Sequence, residues 1–219
     1  VNINPAADTI CRQDSISLLA TGGISYQWSP SASLSSSSGA SVNAGPISTT
    51  VYTVTATDIN GCQNTASSEI TVLAQPIVAA VAASSSICIN DSTQLSASGA
   101  VTYSWYYPVN ISATSGSSIL AFPVTNSTYH VIGTDAFGCT DTAHIPLVVN
   151  PLPVMDIVAP IGICNGDTCQ ISVNGVSNYN WSPTTGINPT IGNIINCFPT
   201  VTTNYTVLGT DSNGCMNTA

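Results

Sequence analysis

The chain has 219 residues, of which only 5% are charged, and Arg12 is its single basic side chain against ten carboxylates, a formal charge of −9. Nucleic-acid partners need Lys and Arg to neutralise phosphates, and anionic membrane surfaces attract proteins through the same groups, so composition excludes both. The best apolar run, residues 77–83, falls well short of the ~20 residues of a membrane-spanning helix, and no membrane insertion is expected.

In chain order, Cys11 comes first, followed by Ile16, Leu18 and Ala20 alternating with polar neighbours. That period of two marks a strand with one buried face. Tyr26 and Trp28 follow, then the β-branched, alternating stretch 52–57. Asp58 to Gly61 reads as a hairpin turn with Gly in the left-handed position. Cys62 and a last strand, residues 63–73, complete the unit.

The whole pattern then recurs twice. Cys11 and Cys62, Cys88 and Cys139, and Cys164 and Cys215 are each 51 residues apart. Trp28, Trp105 and Trp181 each lie 17 residues after the first cysteine, and Tyr26, Tyr103 and Tyr179 two residues before the Trp. Tyr52, Tyr129 and Tyr205 stand ten residues before the second cysteine, and Asp58, Asp135 and Asp211 open an Asp-x-x-Gly turn in front of it. Pro-containing joints fall at 74–77 and 150–153. Short strands punctuated by turn residues, and no amphipathic helix, predict an all-β chain of three tandem immunoglobulin-like β-sandwich domains. The expected domains are 1–76, 77–152 and 153–219, the third lacking most of its last strand.

Eight cysteines in so uncharged a chain point to an oxidising, extracellular compartment. The repeat selects one bridge per domain: Cys11–Cys62, Cys88–Cys139 and Cys164–Cys215. Cys169 and Cys197 remain, at the positions of Ile16 and Ala44 on strands that are neighbours in an immunoglobulin-type sheet. They predict a fourth, buried bridge, Cys169–Cys197.

The segments Tyr26-Gln27-Trp28-Ser29-Pro30 and Tyr52 to Cys62 resemble the PKD-type and related immunoglobulin-like repeats of large secreted surface proteins, adhesins among them, of Bacteroidota. The resemblance covers all three units and implies a fragment of a longer exported protein. It also implies O-glycosylation at Asp-Ser/Thr-x triplets, here at Thr9, Ser15, Ser92 and Thr142; chance occurrence in a Ser/Thr-rich chain is the alternative.

No catalytic constellation is legible, and the chain is not expected to be an enzyme. A nucleophile needs a base and an orienting group, but the two histidines, His130 and His144, fall on strands of one unit. A glycosidase needs paired carboxylates, and Glu69 is the only Glu. Asp58, Asp135 and Asp211 admit a Ca²⁺ ligand reading, but one carboxylate per unit fits a turn better, so no cofactor is expected. The repeated Trp residues read as core, and Tyr106-Tyr107-Pro108 as a candidate exposed contact. Three roles remain: a structural or adhesive stalk segment, a subunit of an extracellular filament assembled by strand complementation or head-to-tail packing, and a glycan-binding accessory module of a secreted hydrolase. The partners expected are neighbouring repeats of the same or identical chains, with surface glycans or other cells beyond them.

Overall fold

A computed structural model describes residues 1–106, 110–160 and 162–219. The first unit holds β1 (Asn2–Asn4), β2 (Ala7–Cys11), β3 (Ile16–Thr21), β4 (Ser25–Ser29), β5 (Ser41–Ala44), β6 (Thr50–Thr57) and β7 (Gln63–Leu73). They form two sheets, ordered β1-β3-β5 and β2-β7-β6-β4. The edge strand is divided between the sheets: β1 pairs antiparallel with β3, and after Pro5 the chain crosses so that β2 runs parallel to β7. The Ser68 hydroxyl, buried, donates to the Pro5 carbonyl at 2.8 Å and holds the crossing point.

The second unit repeats this arrangement with β8 (Ala79–Ala82), β9 (Ser86–Cys88), β10 (Thr93–Ser98), β11 (Thr102–Tyr106), β12 (Ser118–Ala121), β13 (Ser127–Thr134) and β14 (Thr140–Asn150). Its sheets are β12-β10-β8 and β11-β13-β14-β9, the same strand order, with β9 again parallel to β14. Two facing sheets with an edge strand shared between them are an immunoglobulin-like sandwich.

The third unit has β15 (Asp156–Val158), β16 (Cys169–Asn174), β17 (Asn178–Ser182), β18 (Ile187–Asn188), β19 (Ile194–Cys197), β20 (Thr206–Thr210) and β21 (Met216–Thr218). β21 has three residues where β7 and β14 have eleven.

The strands form because alternate residues have a core to enter. Along β6 the side chains of Tyr52, Val54 and Ala56 are buried while their neighbours are half-buried or exposed. Each unit has its own cluster: Leu18, Trp28, Val42 and Ile70 in the first, Leu95, Trp105, Ile119 and Leu147 in the second, Val173, Trp181, Ile195 and Val207 in the third. A fully buried aliphatic side chain of this kind contributes roughly 1.5–3 kcal/mol.

The Trp residues are core, 2–4% exposed. Each indole N–H donates to a carbonyl eleven residues on, Gly39, Gly116 or Gly192, at 2.8, 2.8 and 2.9 Å. Those three glycines sit at φ of +107°, +112° and +106°, a backbone that L side chains rarely adopt, so the loop can turn its carbonyl inward onto the ring. The tyrosine two residues earlier clamps the preceding turn: the Tyr103 hydroxyl donates to the Ala100 carbonyl and accepts from the Ala100 N–H, both at 2.8 Å. Tyr26 does the same at Gly23.

Candidate functional site

The residues that organise the molecule are the cysteines at the joints. Asp135 opens the hairpin between β13 and β14, its Oδ1 accepting from the N–H groups of Phe137 and Cys139 at 2.8 and 2.9 Å. Asp211 and Asp58 hold Cys215 and Cys62 in the same way, each cysteine N–H lying 2.9 Å from the carboxylate. The turn closes with the Asp N–H bonded to the cysteine carbonyl, at 2.9, 2.9 and 3.0 Å in the three units. Through Oδ1 the carboxylates act as turn formers. Among the described residues, no group of three or more His, Cys, Asp and Glu is gathered as a metal would require.

The first cysteines are held by a second recurring turn. The N–H of Asp14, Asp91 and Asp167 bonds to the carbonyl of Cys11, Cys88 and Cys164, at 3.0, 3.0 and 3.1 Å. Between them Gln13, Asn90 and Gly166 take positive φ, at 78°, 74° and 90°. A Cys-x-x-Asp spacing in every unit was the sequence signal for this turn.

The within-unit pairing is overturned. Cys11 bonds to Cys139 and Cys88 to Cys215, with Cα–Cα distances of 5.5 and 5.6 Å. The pairs Cys11–Cys62, Cys88–Cys139 and Cys164–Cys215 do not form, and neither of these two bridges lies inside one domain. The reason is register. Cys11 ends β2 opposite Leu73 at the far end of β7, whereas Cys62 precedes the first residue of that strand. Eleven residues at ~3.4 Å each separate them by roughly 35 Å, far beyond the ~7 Å limit between bridged Cα atoms. Cys88, opposite Asn150, and Cys139, just before Thr140, stand at opposite ends of β14 in the same manner. In these two units the first cysteine thus lies at the trailing end and the second at the leading end, so Cys11 meets the second cysteine of the second unit and Cys88 that of the third.

Cys62 and Cys164 carry free, exposed thiols. Cys169 and Cys197 face each other in register across β16 and β19 and are bonded, as the sequence positions predict. Their counterparts are the pairs Ile16–Ala44 and Thr93–Ala121. Beside this bridge a groove of about 420 Å³ is lined by Cys164, Ile171, Val201 and Tyr205. Tyr205 is half-buried there, whereas Tyr52 and Tyr129 are buried.

The remaining candidates are placed as follows. The Nδ1 atoms of His130 and His144 lie 2.7 Å apart, opposite one another on β13 and β14, with Tyr106 stacked on His130 at 5.5 Å between ring centroids. Tyr107 and Pro108 lie outside the described residues. Thr9, Ser15, Ser92 and Thr142 are all exposed, and Glu69 is exposed on β7. No described helix is long and apolar enough to cross a membrane.

No family model matches the chain, and no curated protein sequence matches it. Among solved structures it is similar to the N-terminal eight immunoglobulin domains of Down Syndrome Cell Adhesion Molecule, with 14% identity and a TM-score of 0.45 over 99% of this chain. It spans 35% of that structure's length. It is similar also to an I-band fragment of titin, at 13% identity and TM-score 0.38, covering 96% of this chain and 92% of that one. The immunoglobulin domains 1–5 of Sidekick-1 follow at 13% identity and TM-score 0.31, covering 100% and 57%.

Proposed function

We propose that this chain is a load-bearing structural or adhesive segment of an extracellular repeat protein, not an enzyme. The observation that carries the reading is the pair of bridges Cys11–Cys139 and Cys88–Cys215, one across each joint. Linked domains move relative to one another by default. A second covalent attachment beside the linker opposes both bending and swivelling, which serves a spacer. Disulfides of this kind persist in oxidising compartments, which supports placement outside the cell. The scarcity of Lys and Arg leaves trypsin-like proteases almost nothing to cut.

In this reading the domains are 1–76, 77–152 and 153–219, and the partners are neighbouring repeats, with surface glycans or other cells at a distal tip. Export from Bacteroidota and glycosylation at Thr9, Ser15, Ser92 and Thr142 belong to the same proposal; the four exposed hydroxyls support the latter. Small-angle scattering tests it. Three sandwiches end to end, the first two about as long as an eleven-residue strand and the third shorter, predict a stiff rod on the order of 100 Å. On mild reduction the pair-distance distribution should broaden and shorten. A profile unaffected by reduction, or compact from the start, contradicts a strut. The filament reading is second, favoured by the exposed thiols of Cys62 and Cys164 at the two outer positions.

A further inference from the structure

Cys62 and Cys164 are the two unused halves of the joint that the chain builds twice. At each joint a first-position cysteine, Cys11 or Cys88, bonds a second-position cysteine of the next unit, Cys139 or Cys215. Cys164 is the remaining first-position cysteine and Cys62 the remaining second-position one.

Both sit on the same local turns as their counterparts, although among the described residues Cys164 lacks the parallel strand pairing that Cys11 and Cys88 make. Cys164 sits on the same turn as Cys11 and Cys88, its carbonyl accepting from Asp167 at 3.1 Å. Cys62 sits in the same hairpin as Cys139 and Cys215, its N–H donating to Asp58 at 2.9 Å. Burial differs in the direction that a vacant joint requires. Cys139 and Cys215 are 1% and 0% exposed, whereas Cys62 is exposed; Cys11 and Cys88 are half-buried, whereas Cys164 is exposed.

We propose that Cys164 and Cys62 each bond a further repeat unit of this kind. Cys164 takes the cysteine of an Asp-x-x-Gly-Cys hairpin on a following unit, and Cys62 takes the Cys-x-x-Asp cysteine of a preceding one. The disulfide ladder then continues beyond these three units in both directions. Because one chain offers both halves, two copies are complementary head to tail, an arrangement that propagates when the rotation does not close. The proposal rests on the tandem-array reading, yet the scattering experiment is independent of Cys62 and Cys164, so the two fail separately.

The bond forms by oxidation of two thiols. With a small disulfide such as oxidised glutathione as oxidant, one protein thiolate attacks a glutathione sulfur and releases one glutathione thiol. The second protein thiolate then displaces the other, leaving the protein disulfide, two reduced glutathiones and no net change in protons.

Two measurements decide it. In protein isolated from its source with free thiols alkylated at lysis, the peptide carrying Cys164 should be bonded to the cysteine of an Asp-x-x-Gly-Cys sequence. If that sequence is 58–62 itself the partner is a second copy; if it differs, the partner is another repeat. Alkylated Cys62 and Cys164, a glutathione adduct on either, or a Cys62–Cys164 bond within one chain overturns the proposal. With the purified chain and oxidised glutathione, Cys62→Ser mixed with Cys164→Ser should shift from 22.3 kDa to twice that mass, while either variant alone stays monomeric. Dimerisation of each variant alone as readily as the mixture would mean unselective thiol chemistry and would also overturn it.

Discussion

The tyrosines ten residues before each second cysteine share a sequence position but differ at the hydroxyl. Tyr52 shares a hydrogen bond with the Ser33 hydroxyl, whereas the buried Tyr129 hydroxyl finds no partner among the described residues. A buried hydroxyl without a partner costs about 1–3 kcal/mol, and a satisfied one contributes about 1 kcal/mol. Tyr52→Phe should therefore lower the stability of the first unit by about 1 kcal/mol, and Tyr129→Phe should leave the second unchanged or stabilised, as chemical denaturation will read. Burial raises the Tyr129 phenol above its ordinary value of 10.0. The native state favours the neutral phenol, so this contribution is fully present below about pH 10 and is lost as pH rises through the higher native value. With free thiols blocked, Tyr129→Phe should resist alkaline unfolding better than the parent chain.

Strand register, one level up, decides what the repeated residues can reach. The hairpin that carries each second cysteine depends on one carboxylate: Asp135 satisfies the N–H groups of Phe137 and Cys139. Removing it leaves those donors to water and loosens the turn that presents Cys139 to Cys11. Asp135→Ala should cost the second unit about 1–2 kcal/mol and slow formation of the Cys11–Cys139 bridge in timed quenching of oxidative refolding. Much at this level is legible from sequence. The period of two at Ile16, Leu18 and Ala20, the core Trp residues and the Asp-x-x-Gly turns all express local chemistry. The Cys169–Cys197 bridge was legible too, because in an immunoglobulin-type sheet the strands carrying the equivalent Ile16 and Ala44 are neighbours. The bridges across the joints were not legible in the same way. Equal spacing of Cys11–Cys62 and Cys88–Cys139 says only that the units are alike, and a within-unit and a staggered pairing repeat with the same period. What separates them is the crossing of the edge strand after Pro5 and the parallel pairing of β2 with β7, a long-range contact that places Cys11 beside Leu73.

Across the whole molecule, the staggered bridges change what the units do together. Load applied along the chain reaches the second unit through its linker and through Cys139, and leaves it through the next linker and through Cys88, the two cysteines standing at opposite ends of the unit. These cysteines flank the parallel pair β9 and β14, whose partners run from Ser86–Val148 to Cys88–Asn150. That pair is loaded in shear, so its hydrogen bonds resist together. Within-unit bridges would brace each sandwich and leave the joints as single-chain hinges. The staggered ones brace the joints and leave the first two cores to hold by packing alone. The most direct test is a disulfide peptide map of the alkylated, non-reduced protein after digestion by a protease that does not depend on basic residues. The account predicts Cys11 bonded to Cys139, Cys88 to Cys215 and Cys169 to Cys197. Recovery of Cys11 bonded to Cys62, or Cys88 bonded to Cys139, would contradict it.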